Sequence, residues 1–165
     1  MLLFGTVGTT AFASLGDVLL SPEVLSELHA QGYRRLLLQL GRGPEPQIPD
    51  AAPLAIEWYR FKPSLEADMR EASLIVSHAG AGSIMEGMRL SKRMLVVVND
   101  ALMHNHQQEL AQELHARQHL LATTPAGLLT TLQGMRTAPP ALVPFAPADA
   151  AAFPAFMAQT LGLRR

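Results

Sequence analysis

The segment SHAGAGSIMEGM, residues 77 to 88, sets three glycines and two alanines directly after an apolar run and just ahead of a helical pattern. Small residues at a strand-to-helix turn let the backbone approach a bound group closely. The free N–H groups of the helix start, with about half a positive charge from the helix dipole, favour an anion. On those grounds the turn from His78 to Ser83 suits a diphosphate, and a tight structural turn is the other reading. The spacing matches neither G-x-G-x-x-G nor G-x-x-x-x-G-K-[ST], so neither a dinucleotide nor nucleotide hydrolysis is signalled. Glu86 stands three residues after Ser83, the spacing of a capping box. It could close that box at a helix starting near Ser83, or accept hydrogen bonds from the paired hydroxyls of a ribose. One carboxylate cannot fully do both.

Two more segments carry usable chemistry. TVGTT, Thr6 to Thr10, follows the first apolar run and offers backbone N–H groups with the hydroxyls of Thr9 and Thr10, which could instead cap the next helix. MHNHQQELAQEL, residues 103 to 114, reads as a helix that Asn105 can cap, with Gln107, Leu110, Ala111 and Leu114 on one face. An amide heading an apolar stripe needs partners, and sugar hydroxyls or backbone carbonyls would serve equally. His104 and His106 lie two apart and cannot face one point from a helix, so they make a poor metal pair. No Ser-His-Asp arrangement can be read, since Ser77 beside His78 is mere adjacency.

The elements that must position these residues follow from periodicity. Apolar runs at Leu2 to Val7, Arg35 to Leu40, Leu54 to Tyr59, Leu74 to Val76, Met94 to Val98 and His119 to Ala122 predict strands. Helices lie between them. Ser21 as cap, Pro22 at the first position and Gly32 after the last turn bound one, while Pro63 and Pro125 mark two further starts. Buried runs alternating with helices predict a mainly parallel sheet covered on both faces, with ligands at the carboxyl ends of the strands. Both glycine turns then fall on that one edge. Residues 41 to 53, GRGPEPQIPDAAP, read as a surface loop between two strands. A boundary is placed at 138/139, because Pro139 to Pro147 is Pro-rich and extended. Beyond it, Ala148 to Leu163 sets Phe153, Phe156, Met157 and Leu161 at helical spacing, for the chain's own core or for a partner.

Composition narrows the classes. At 165 residues and 48% hydrophobic the chain can bury one sizeable core. Its 13 basic and 14 acidic residues form no dense basic stripe, which argues against nucleic acid. Absence of Cys excludes disulfides, thiolate ligands and a Cys nucleophile. The N-terminal stretch lacks a basic region and is broken by Gly, Thr and Asp, so it reads as strand, turn and helix, and no run reaches the roughly 20 apolar residues of a membrane span.

In order along the chain, TVGTT (6 to 10), LLLQLGRG (36 to 43), SHAGAGSIMEG (77 to 87), LVVVND (95 to 100) and NHQQELAQEL (105 to 114) resemble the glycosyltransferase family 28 C-terminal domain. This is the uridine-diphosphate-binding half of GT-B enzymes of the peptidoglycan N-acetylglucosaminyltransferase group. The chain is still more similar to the donor-binding subunits that work in dolichol-linked oligosaccharide synthesis. The resemblance implies a single Rossmann-like α/β domain over residues 1–138, the donor-binding half of a GT-B fold, with residues 139–165 as a possible partner-docking element. It implies an inverting, heteromeric transferase moving N-acetylglucosamine from UDP-GlcNAc to GlcNAc-diphosphate-dolichol for protein N-glycosylation.

Its other half would be a membrane-anchored subunit that supplies the acceptor side and recruits the chain to the cytosolic face of the endoplasmic reticulum. Gly8, Thr9 and Thr10 would lie by the donor diphosphate, and His78, Gly80, Gly82 and Ser83 would form the second phosphate-facing turn. Glu86 would take the ribose, the backbone at Phe61 and Lys62 the uracil edge, and Gln107 the donor sugar, with Asn105 and His106 beside it. No metal, no other cofactor and no catalytic base is implied. The chain departs from the pattern at Gly5, where a bulky apolar residue is usual, and within FASL, where an Asp is usual. A non-enzymatic nucleotide-binding or scaffold module is the alternative reading.

Overall fold

The computed structural model describes residues 1–99 and 106–146, with the backbone alone at His106 and Gln107. The strands are β1 (Leu2–Thr6), β2 (Arg35–Gln39), β3 (Ala55–Tyr59), β4 (Leu74–His78), β5 (Met94–Val97) and β6 (Leu121–Thr123). The helices are α1 (Ala13–Leu19), α2 (Pro22–Ala30), α3 (Glu66–Glu71), α4 (Ala81–Arg89), α5 (His106–Ala116) and α6 (Leu128–Thr137). All six expected strands form, within about two residues of their expected ends.

The strands make one sheet in the order β3-β2-β1-β4-β5-β6, with every recorded pairing parallel. Side chains alternate across it. Leu3, Leu36, Leu38, Leu74, Val76, Leu95 and Val97 face α1, α2 and α6 in one core layer. Leu2, Phe4, Leu37, Ile75, Met94 and Val96 face α3, α4 and α5 in the other. Both faces are therefore dry, which is why the strands read as nearly continuous apolar runs. Gly5 does not weaken β1: a side chain there would meet Leu38 Cδ2 at 2.8 Å and Leu19 Cδ1 at 2.9 Å, so neighbouring leucines already fill its place.

The order reverses between β1 and β4, whose chain continuations leave in opposite directions along the sheet. That switch point opens a crevice at the carboxyl edge. Thr6, Gln39, Ser77 and His78, all buried, put polar groups at the carboxyl ends of β1, β2 and β4.

The Ser21 cap forms as expected, its Oγ accepting from Val24 N at 3.4 Å, with Pro22 at the first helical position. Gly32, at φ +90, ends α2, and Tyr33 N donates back to Leu28 O at 3.0 Å. The helices announced by Pro63 and Pro125 begin three residues later than those prolines, at Glu66 and Leu128. Before α6 the delay is a turn in which Gly127 N donates to Thr124 O at 3.1 Å. The Pro-rich loop of residues 41–53 joins the parallel strands β2 and β3 without a helix. After α6 the chain has no regular secondary structure, turns where Leu142 N donates to Pro140 O at 3.1 Å, and returns to the sheet's amino edge, where Val143 N donates to Gln118 O at 2.8 Å. Phe145 meets His119 edge to face at 5.3 Å. The expected helix from Ala148 to Leu163, with Phe153, Phe156, Met157 and Leu161, lies outside the described residues.

Candidate functional site

The cleft at the switch point, an open cavity of about 420 Å³, is lined by the β1 turn (Gly8, Thr9, Thr10), the β4 turn and α4 (His78, Gly80, Gly82, Ser83, Glu86), and Phe61, Lys62 and Leu65 beyond β3, with Gln39 among them. Every described side chain or glycine that the sequence nominated for donor contact is on that wall. Asn105 lies outside the described residues, and so do the side chains of His106 and Gln107. The apolar face predicted below them is in place, with Ala111 and Leu114 buried and Leu110 packed against the same core.

Two local expectations are corrected. The helix after β4 begins at Ala81, with Gly80 as N-cap and no side chain capping it. Ser83 is thus already inside the first turn, and Glu86, one turn further on, cannot close a capping box with it. The turn is shorter than the sequence suggests because Gly80 itself takes the extended cap conformation, at φ −73 and ψ 124. Likewise neither Thr9 nor Thr10 caps α1, whose N-cap is Phe12; Thr10 Oγ1 donates to Val7 O at 2.9 Å and closes the β1 turn instead. Glu86 and the first amides of α4 are in consequence free of the structural duties that would compete with a ligand.

The two glycine turns meet on His78. A side-chain carbon at Gly8 would fall 2.8 Å from His78 Cε1, and one at Gly80 would fall 2.2 Å from Nε2. Glycine is required at both places by the imidazole between them, and at Gly8 also by φ +63. His78 Nδ1 is buried without a hydrogen-bond partner. Burial pushes the His78 pKa below the ordinary 6.5, with a smaller opposing contribution from the Thr6 backbone. The unfolded chain thus binds the proton more readily than the folded one. Stability from this residue is complete above pH 6.5 and declines as pH falls below that value toward the folded pKa. Melting temperature followed from neutral to mildly acidic pH should drop, and His78→Gln should flatten that slope.

On the opposite wall, Lys62 Nζ donates to both carboxylate oxygens of Asp68 at 2.9 Å and lies 4.2 Å from the centre of the Tyr59 ring. Tyr59 Oη donates to the same carboxylate. Burial first, and then that carboxylate, push the Tyr59 pKa well above its usual value, so the phenol stays a donor. These contacts tie the segment after β3 to α3. Phe61 stands exposed beside them.

The family model described as glycosyltransferase family 28 C-terminal domain matches residues 2–160. The chain belongs to this family.

Among family 28 relatives, the human UDP-N-acetylglucosamine transferase subunit ALG13 is 45% identical over 125 residues, covering 74% of this chain and 11% of the human protein. The subunit of the same name from Yarrowia lipolytica is 35% identical over 126 residues, 74% of this chain and 64% of that protein. The chain therefore spans about a ninth of the human relative and just under two thirds of the yeast one. A solution NMR structure of ALG13 superposes with a TM-score of 0.66 at 27% identity, covering 98% of this chain and 96% of that one. The crystal structure of Acinetobacter baumannii MurG shares the fold, with a TM-score of 0.61 at 18% identity over 82% of this chain and 40% of that one. The fold is thus the Rossmann-like half of a GT-B architecture.

Two lining residues, Gln39 and Leu65, are not among those the sequence nominates. Gln39 lies within LLLQLGRG, where the sequence shows only a strand, and its one signal is a lone amide in an otherwise apolar run.

Proposed function

We propose that the chain is the donor-binding, catalytic subunit of a heteromeric transferase that moves N-acetylglucosamine from UDP-GlcNAc to a GlcNAc-diphosphate-dolichol acceptor. The observation that carries this is the convergence of both glycine turns on one side of the β1/β4 switch point, with Glu86 one helical turn above the uncapped start of α4. The diphosphate would lie against the amides of the Gly8 turn and of Ala81 to Ser83. There the α4 dipole and oriented N–H groups stabilise the charge that develops as uridine diphosphate leaves. Glu86 would accept the ribose hydroxyls, and the backbone at Phe61 and Lys62 would meet the uracil edge. The likeness to the ALG13 subunits supports the choice of sugar nucleotide.

Attack by an acceptor hydroxyl from the face opposite the departing diphosphate inverts the anomeric carbon. Among the described residues lining the cleft, Glu86 is the one carboxylate, and the ribose occupies it in this reading. We propose that the other half of the enzyme contributes to the base that takes the acceptor's proton. That half would be a membrane-anchored subunit holding this chain at the cytosolic face of the endoplasmic reticulum. Among the described residues, no helix is long and apolar enough to cross a membrane. Residues 139–165 are proposed as the docking element.

Calorimetry of the chain with UDP-GlcNAc, alone and with the anchored subunit, tests the reading. Glu86→Ala should weaken donor binding about tenfold or more, the worth of a charge-assisted hydrogen bond pair. It should also slow transfer by the reconstituted complex at low donor concentration. Unchanged transfer by that variant would return the chain to a scaffold role.

A further inference from the structure

Between the two walls of the cleft sits a side chain that no part of the preceding assignment uses. Gln39 ends β2, is 2% exposed, and has its four hydrogen-bonding positions filled. Its Oε1 accepts from Thr6 Oγ1 at 2.5 Å and from Gly8 N at 2.9 Å. Its Nε2 donates to Gly8 O and to Arg60 O, each at 2.7 Å. One amide thus holds both backbone groups of Gly8 and the carbonyl of the residue that leads into Phe61 and Lys62.

We propose that Gln39 is a positioning residue for donor recognition, a brace that fixes the phosphate-facing Gly8 turn at a set distance from the nucleoside-facing segment Arg60 to Lys62. The inference rests on the sugar-nucleotide reading of the cleft and deepens it. A ligand that joins a base to a diphosphate must touch both walls at once, and its affinity depends on their spacing being settled beforehand. The loop after β2 adds a backbone tie between the same walls, because Arg42 N donates to Thr10 O at 2.9 Å. Arg60 O also accepts from Gly41 N at 3.1 Å, and Lys62 is anchored on Asp68. Gln39 is the described side chain whose hydrogen bonds run from the Gly8 turn to the Arg60 segment. It acts through backbone groups, so its effect is on geometry rather than on charge.

The test uses the full chain with two variants of matched length. Gln39→Met removes all four hydrogen bonds. Gln39→Glu keeps the acceptors for Thr6 and Gly8 but sets an oxygen against the carbonyls of Gly8 and Arg60. Thermal unfolding first establishes that each variant folds, and isothermal titration with UDP follows. In the reconstituted complex, both variants should raise the KM for UDP-GlcNAc about tenfold while kcat stays within about twofold, because bound donor still meets the same reacting groups. UDP affinity of the chain should fall by the same factor. Amide hydrogen exchange at Gly8 should accelerate in Gln39→Met and stay slow in Gln39→Glu, a contrast that a general loss of stability would not produce. UDP bound normally by either folded variant would overturn the brace while leaving the donor reading intact. A wild-type chain with a protected Gly8 amide that takes up no UDP, alone or in the complex, would overturn the donor reading and the brace's role with it.

Discussion

Gly41→Ala is expected to destabilise the chain by roughly 2–4 kcal/mol. Gly41 follows β2 at φ +52, in the left-handed region. A Cβ there would lie 2.4 Å from Thr10 O and 2.6 Å from Gly8 O. Those atoms are backbone and cannot swing aside as a side-chain tip can. They belong to the β1 turn, which Arg42 N holds from the same loop by donating to Thr10 O at 2.9 Å. The strain can be relieved only by moving the loop off the turn, so the variant should lose donor affinity as well as stability. Thermal unfolding should show a drop of about 4–16 °C. Gly134→Ala in α6 is the matched control, since nothing lies within 4 Å of its Cβ position and alanine favours a helix. A Gly41→Ala melting temperature no lower than that of the wild type would show that the loop has room the structure denies it.

Gly80→Ala should abolish measurable donor binding, and its cause can be isolated. The added carbon would stand 2.2 Å from His78 Nε2 and 2.6 Å from Cε1. Either the ring is expelled from its buried site or the start of α4 shifts, and both displace the amides that would meet the diphosphate. A stability loss of roughly 2 kcal/mol or more is expected. His78→Ala in the same chain should recover much of that stability, since it removes the atoms in collision, so the two substitutions should be clearly non-additive. Additive losses would place the damage elsewhere. Gly82→Ala separates this steric effect from helix chemistry. Nothing lies within 4 Å of its Cβ position, so that variant should fold at least as well as the wild type while narrowing the cleft it lines.

Much of the architecture was legible because the relevant signals are local. Each strand announced itself as a short apolar run, since a sheet with helices on both faces buries both side-chain sets. Ser21, Pro22 and Gly32 bound α2 by capping chemistry that acts within a few residues. The Pro-rich loop and the two glycine turns were visible for the same reason. The start of α4 was misplaced by two residues because SHAGAGS offers both a serine and a glycine as caps. The choice between them depends on where β4 releases the chain. His78 could be named as part of a turn, yet nothing in its neighbours shows that its ring is the spacer against which both glycines are fitted. Gln39 was invisible as a functional group because its partners Gly8 and Arg60 lie 31 and 21 residues away.

By itself, then, the sequence determined the alternation of elements, the parallel sheet, the edge on which a ligand would lie and most of the residues lining that edge. These follow from periodicity and from turn residues whose preferences are intrinsic to a few neighbouring peptide units. Tertiary structure alone decided which strand ends are adjacent, and so brought the β1 and β4 turns onto His78 and stretched Gln39 between two walls. The physical reason is the range of the interactions. Steric exclusion at 2.4–2.8 Å at Gly41 and Gly8 and hydrogen bonds of 2.7–2.9 Å act only once the sheet has set distant segments side by side. Their demands are therefore written in the geometry of the crevice rather than in the spacing of residues along the chain.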